Sequence, residues 1–245
     1  MNMSFTLLLW GKLNKGKLKI FCQRSNYVIQ NYEYLITIIK DECNIVINKR
    51  TVSCEVNIMD KATLVEIDRT IKEIWEVDIK NDYKDYYLLR EDSLKCALYY
   101  HMRRKLDVIL KENNLRIYPE YYINMGGLKY RPDIVIAKVG NEEKRFLKDM
   151  ITEIVAIVEL KYEYGSSQGT TSVIKRDIQK MKEYRQKMKL DCQCYFAVIY
   201  EEECEYLNWT DKRTSNRWGR GCLTELNAGY INGEMKFEVN SYNDL

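Results

Sequence analysis

The sequence predicts an α/β (α+β) protein whose central mixed sheet is flanked by helices. Three observations carry that expectation. Continuous apolar β-type runs recur at 130–139, 154–161 and 192–200, the pattern of strands buried on both faces. Apolar stripes at three- and four-residue steps mark helices before and after the first two runs. From Glu91 onward the elements follow as helix, three strands, helix, strand, and Asn232-Gly233 adds a strong hairpin signal near the end.

Residues 1–80 read as a separate small α+β unit. Leu18–Cys22 is a candidate strand, and 27–39 fits either helix or strand. Asn44–Ile58 alternates with period two around a turn at Lys49-Arg50-Thr51, as a hairpin does. Asp60 is placed to cap a helix whose apolar positions are Leu64, Ile67, Ile71, Ile74 and Trp75. Nothing in this unit carries recognisable chemistry, so packing or partner binding, including self-association, is its expected role.

Residues 81–245 form the second unit, with its core at 91–200. The polar and aromatic stretch 77–90 reads as the connection. A helix from Glu91 has an apolar stripe of Leu94, Ala97, Leu98, Met102, Leu106, Ile109 and Leu110, and Asn113-Asn114 ends it. Arg103, Arg104, Lys105 and Lys111 form its solvated side. Strands follow at 116–124, 130–139 and 154–161, with Gly126-Gly127 breaking the first from the second and the charged 141–149 stretch at a distal loop or short helix. After Lys161 comes a small polar loop containing Gly165 and Gly169. Thr171 or Ser172 then caps the most basic helix of the chain, on which Asp177, Lys180 and Tyr184 share a face. The run 192–200 is a central strand, Glu201–Glu203 reads as a solvated helix start, and 223–231 with 234–239 make the closing hairpin.

Composition narrows the chemistry. A chain of 245 residues with 46% hydrophobic content and two prolines is globular rather than disordered, and its net charge of +3 does not by itself demand a nucleic-acid partner. Eight scattered cysteines without a Cys-x-x-Cys pair argue against a zinc or disulfide framework and suit a reducing cytosol. Cys192 and Cys194 read as sheet residues. No apolar run approaches the roughly 20 residues of a bilayer span, and Phe5–Trp10 is too short for a signal core; the expectation is a soluble cytoplasmic protein without membrane association. One histidine, His101, excludes His-Glu-x-x-His metalloproteases and two-histidine phosphodiesterase sites. Its helix makes it a hydrogen-bonded structural residue. No nucleophile elbow, phosphate-binding loop or dinucleotide fingerprint is present.

Against that background, charge on apolar strands stands out. Tyr-Arg-Pro-Asp-Ile-Val-Ile (130–136) ends an acid against a strand, and Ile-Val-Ala-Ile-Val-Glu-Leu-Lys (154–161) carries Glu159 and Lys161 on one face two residues apart. Buried charge is costly unless it is compensated or used. Pro-Asp followed by Glu-x-Lys resembles the PD-(D/E)xK nuclease superfamily, and the element order over 91–200 matches its restriction-endonuclease-like core. The resemblance implies metal-dependent hydrolysis of phosphodiesters. Asp133 and Glu159 would bind Mg2+, with Mn2+ as a substitute, Lys161 would assist the attacking water, and the Leu160 carbonyl would add a ligand. It also implies a glutamate at the start of the first core helix: Glu91, with Asp92 as the competing choice. Glu120 is a weaker candidate. A glutamine–tyrosine pair found in some family exonucleases is not carried over, because Gln179 and Tyr184 are one residue too far apart.

DNA is the expected substrate ahead of RNA, in defence or restriction among other roles. Lys175, Arg176, Lys180, Lys182, Arg217 and Arg220 are the candidate backbone contacts. Two alternatives stand beside it: a non-cleaving binding or scaffold protein of the same fold, and an RNA-cleaving or effector-gated nuclease. The bland account of the charged stretch is an Asp133–Lys161 salt bridge at a sheet edge with Glu159 solvated.

Overall fold

The computed structural model describes residues 10–14, 17–21, 43–48, 51–56, 61–125, 128–164, 170–186, 192–210, 217–243 and 245. The chain divides into two compact units, Met1–Met59 and Asp60–Leu245. The smaller contains two antiparallel hairpins among its described residues: β1 (Trp10–Asn14) with β2 (Lys17–Phe21), and β3 (Cys43–Asn48) with β4 (Thr51–Val56). The second is the hairpin expected from the 44–58 alternation. The stretch 27–39 and the cap at Asp60 lie outside the described residues.

The boundary falls about twenty residues earlier than the sequence led us to expect, because the helix after it is anchored in the larger unit. α1 (Lys61–Glu73) buries Ile67 and Ile71, then widens into a π-helical segment at Ile74–Ile79 that buries Ile74, Trp75 and Ile79. It continues as α2 (Lys80–Lys84), so helix occupies much of the expected 77–90 connection. The Trp75 indole N–H donates to Asn227 O at 3.0 Å, and Asp68 accepts from the Tyr195 hydroxyl at 3.0 Å and from Asn243 Nδ2 at 2.8 Å. Buried polar groups need such partners, and here they come from the sheet.

The helix expected from Glu91 to Asn113 is two: α3 (Glu91–Lys105) and α4 (Asp107–Glu112), broken at Leu106. Asn114 adopts a positive φ of 54° and ends the run. His101 is the structural residue expected, with Nε2 2.8 Å from Asp82 Oδ2.

A six-stranded mixed sheet runs in the order β12-β11-β10-β9-β8-β5. β5 (Leu115–Pro119), β8 (Ile134–Val139) and β9 (Ile151–Glu163) form an antiparallel meander. α5 (Thr170–Gln186) then crosses to β10 (Gln193–Glu203), which is parallel to β9. Thr171 and Ser172 lie inside this helix rather than capping it. β11 (Leu223–Ile231) pairs parallel to β10, and β12 (Glu234–Ser241) closes the sheet as an antiparallel edge. The Asn232-Gly233 turn has φ of 53° and 75° at its two positions, the backbone that asparagine and glycine tolerate best.

Two expected strands are each cut in half. The chain leaves β5 at Glu120, whose φ is 54°, and pairs β6 (Ile123–Met125) with β7 (Leu128–Tyr130) in a separate small hairpin before β8 begins. Pro132 has no N–H for a ladder, so regular pairing starts only after it. In the opposite direction, Glu201–Glu203 extends β10 instead of starting a helix, because Glu203 still pairs with Tyr230 across a bulge. The central strands are apolar on both faces, with Ile134–Ala137 and Cys194–Ile199 buried. Beneath α5, Ile174, Met181 and Tyr184 pack on Ile157, Phe196 and Val198.

Candidate functional site

The β8–β9 register places the site. Ile134 pairs with Val158 at the start of β8, which puts Asp133, the residue just before the strand, beside the Glu159–Leu160 step of β9. Asp133 completes the ladder with its side chain: Oδ2 accepts the Leu160 N–H at 2.9 Å. A strand residue sends its N–H and C=O out by the same edge, so the Leu160 carbonyl leaves on the Asp133 side. The other oxygen, Oδ1, lies 2.9 Å from Lys95 Nζ on α3. Lys95 also contacts Glu120, whose second oxygen is 2.6 Å from Arg131 Nε.

Glu159 points under α5 and is 2% exposed. Lys180 Nζ donates to Oε2 and the Tyr184 hydroxyl to Oε1, each at 2.7 Å. Burial pushes the Glu159 carboxyl up to about 7; the Asp133 charge adds to the rise, while Lys180 and Tyr184 oppose it. The Tyr184 hydroxyl is itself raised by burial and by the neighbouring Glu159 charge. Lys161 leaves the same face of β9 one step further on. Its Nζ is 2.8 Å from Glu91 Oε2 and 3.3 Å from Asp177 Oδ2. Burial works against its charge, but the two carboxylates outweigh that and hold the ammonium above its ordinary value.

Acids and lysines therefore gather in pairs at one end of the inner strands β8 and β9. Of the residues singled out in the sequence, Asp133 and Leu160 meet through the Leu160 N–H, Glu159 and Lys161 flank Leu160 on β9, and Lys161 turns to Glu91 and Asp177. Glu91 reaches the cluster through Lys161 rather than by facing Asp133 or Glu159. The simple alternative of an Asp133–Lys161 salt bridge with a solvated Glu159 is not what forms: Asp133 pairs with Lys95, and Glu159 is buried. Asp177, Lys180 and Tyr184 do share the face that meets the site. Gln179 turns to Glu183 at 3.3 Å.

Of the candidate nucleic-acid contacts, Lys175, Arg176, Arg217 and Arg220 are exposed and Lys182 is half-buried. Lys180 faces inward, paired with Glu159 and 3.4 Å from the Arg131 carbonyl. Lys95 went unnoticed in the sequence. Its one signal was position, since i+4 from Glu91 puts it on the same side of α3.

Among the described residues no three of His, Cys, Asp and Glu converge as a ready-made metal cage. The donors near one another here are hard oxygens: the Asp133 and Glu159 carboxylates, each held by a lysine, beside the Leu160 main chain that Asp133 meets. Mg2+ commonly binds through one or two carboxylates and keeps water and substrate oxygens for the rest, so the set fits that ion and not a thiolate- or imidazole-loving one. No family model, curated protein or solved structure matches the chain. Among the described residues no helix is long and apolar enough to cross a membrane.

Proposed function

We propose that the chain is a metal-dependent nuclease of the PD-(D/E)xK type that hydrolyses phosphodiester bonds, with DNA as its leading substrate. One observation carries the proposal: Asp133, just before β8, accepts the Leu160 N–H of β9, between Glu159 and Lys161, whose side chains alternate onto one face of the strand. The connectivity α3, β5-β8-β9 meander, α5 crossover and parallel β10 supports it, being the order expected of a restriction-endonuclease-like core.

Asp133, Glu159 and the Leu160 carbonyl would hold Mg2+, which supplies Lewis-acid stabilisation of phosphoryl charge and a more acidic water. The remaining work falls to the chain. Lys95 and the Leu160 N–H orient Asp133 by taking one oxygen each. Lys180 and Tyr184 orient Glu159 in the same way. Lys161, kept protonated by Glu91 and Asp177, presents a positive charge for the anionic transition state and a donor to position water; proton abstraction is not its task. Lys175 and Arg176 on the exposed side of α5 are available to the nucleic-acid backbone.

The test is cleavage of plasmid, linear duplex, single-stranded DNA and RNA with Mg2+, Mn2+ or EDTA. We expect metal-dependent cleavage that falls at least about 100-fold in Lys161→Ala and in Asp133→Ala, with circular dichroism unchanged. Cleavage that survives both substitutions would overturn the site assignment. Absence of cleavage on every substrate would overturn the nuclease proposal.

A further inference from the structure

On the other side of β9 from Glu159 and Lys161, a cavity of about 470 Å³ opens between α2 and the ends of β9–β12. That volume lies in the range of small-molecule sites, roughly 300–1,000 Å³. We propose that this cavity binds a nucleotide unit, stacking its base on tyrosine and phenylalanine rings, reading its N–H edge with Glu201 and holding its phosphate with Lys80 and Lys84.

The aromatic wall is already ordered. Tyr83 meets Phe237 edge-on with centroids 5.9 Å apart, and Trp75 packs behind Phe237 at 5.6 Å. Tyr86, Tyr162 and Tyr230 also line the cavity. A planar, polar-edged ring gains from such faces at little ordering cost.

The polar groups have capacity to spare. Glu201 Oε1 lies 2.7 Å from the Tyr83 hydroxyl and 2.9 Å from the Tyr162 hydroxyl. Tyr162 has one hydrogen and also sits 3.1 Å from the Leu88 carbonyl, so it cannot donate fully to both. Tyr83 commits its hydrogen to Glu201, and Tyr230 is 3.4 Å away as a donor to Tyr83. Both tyrosine contacts fall on Oε1, and a carboxylate offers about four acceptor positions. Glu201 therefore has acceptor positions left over, and a base amino or imino group is a donor of the right kind. Uracil, whose single N–H is flanked by two carbonyl acceptors, suits it least.

The cations complete the pattern. Lys80, Tyr83 and Lys84 lie at i, i+3 and i+4 on one helix face, directly after the π-helical segment. Neither lysine pairs with an acid among the described residues, so both ammonium groups at this rim are free to meet a phosphate. A purely apolar peptide would use the rings but leave the carboxylate and both lysines unmatched.

A nucleotide in solution and one belonging to a strand share this chemistry, and titration of the full chain in EDTA separates them. Tryptophan fluorescence or calorimetry would follow GMP, AMP, CMP and UMP, with guanosine and inorganic phosphate as partial probes. The expected result is saturable binding of the amino-bearing nucleotides at least tenfold tighter than UMP or guanosine. Lys80→Ala with Lys84→Ala should weaken GMP at least tenfold and guanosine little, and Glu201→Gln should erase the preference over UMP. A short 5′-phosphorylated oligonucleotide that binds more tightly than any mononucleotide, and loses affinity in the same variants, assigns the site to a strand. Lys161→Ala should bind GMP as the unaltered chain does, which separates this site from the proposed cleavage centre. No saturable binding of mononucleotide or oligonucleotide at millimolar concentration would overturn the proposal, as would binding indifferent to the Lys80, Lys84 and Glu201 substitutions in variants with unchanged circular dichroism.

Discussion

Replacing Glu159 with glutamine should flatten a pH dependence that burial creates. The Glu159 carboxyl rises from an ordinary 4.5 to about 7 in the folded chain, chiefly because its carboxylate is taken out of water. Between those values the folded state holds a proton that the unfolded chain has released, so stability falls as pH rises. The contribution is fully present below about 4.5 and fully lost above about 7. Each pH unit of that gap is worth about 1.4 kcal/mol, giving a total of about 3 kcal/mol. The assay is urea unfolding of the Asp60–Leu245 unit, followed by tryptophan fluorescence at pH 5, 6, 7 and 8 for both proteins. Subtracting the Glu159→Gln curve removes what every other group contributes, and the difference should fall by about 2.5 kcal/mol from pH 5 to 8, most of it before pH 7. Lys180 loses its carboxylate partner in the variant, so the slope and not the offset carries the test. Parallel curves, within about 0.5 kcal/mol across the window, would refute the burial account of this carboxyl.

Lys95→Met should leave the Asp133 and Glu120 charges without their shared lysine. Removing one member of a buried pair costs about 3–5 kcal/mol, and the partial exposure of Glu120 with its second partner Arg131 reduces the expectation to about 2 kcal/mol in urea unfolding. The same variant should slow cleavage, because Asp133 loses one of the two groups that orient it. Gly229→Ala tests packing at β11. An added Cβ would lie 2.8 Å from Leu207 Cδ2 and 3.1 Å from the Tyr200 carbonyl, and the second neighbour is main chain that cannot step aside. A loss of about 1–3 kcal/mol is expected by the same measurement.

The sequence alone determined much of the sheet and the heart of the site. Period-two alternation located β3 and β4, and continuous apolar runs located β8, β9 and β10, because a strand buried on two faces has to be apolar along its length; the Asn232-Gly233 turn located β11 and β12. Glu159 and Lys161 were known to share a face, since side chains alternate along any strand. The Asn232-Gly233 turn was equally legible, because two positive φ angles in succession leave few residues to choose from. These are local constraints, and local constraints are written in adjacent residues.

What only the tertiary structure decided depends on partners far away in the chain. The helix at 61–84 joins the larger unit because Trp75 finds Asn227, 152 residues on, and no local pattern encodes that bond. Glu201–Glu203 has the composition of a solvated helix start, yet the ladder to β11 keeps it in strand. Lys180 looked like one more cation on a basic helix until the crossing of α5 over β9 turned it onto Glu159. Lys95 had no signal beyond its spacing from Glu91, because its value lies in reaching Asp133 across the sheet edge. Charges at 133, 159 and 161 announced that something must compensate them. Which lysine serves which acid was settled by helix packing, since Coulomb partners are chosen by distance in space and not along the chain.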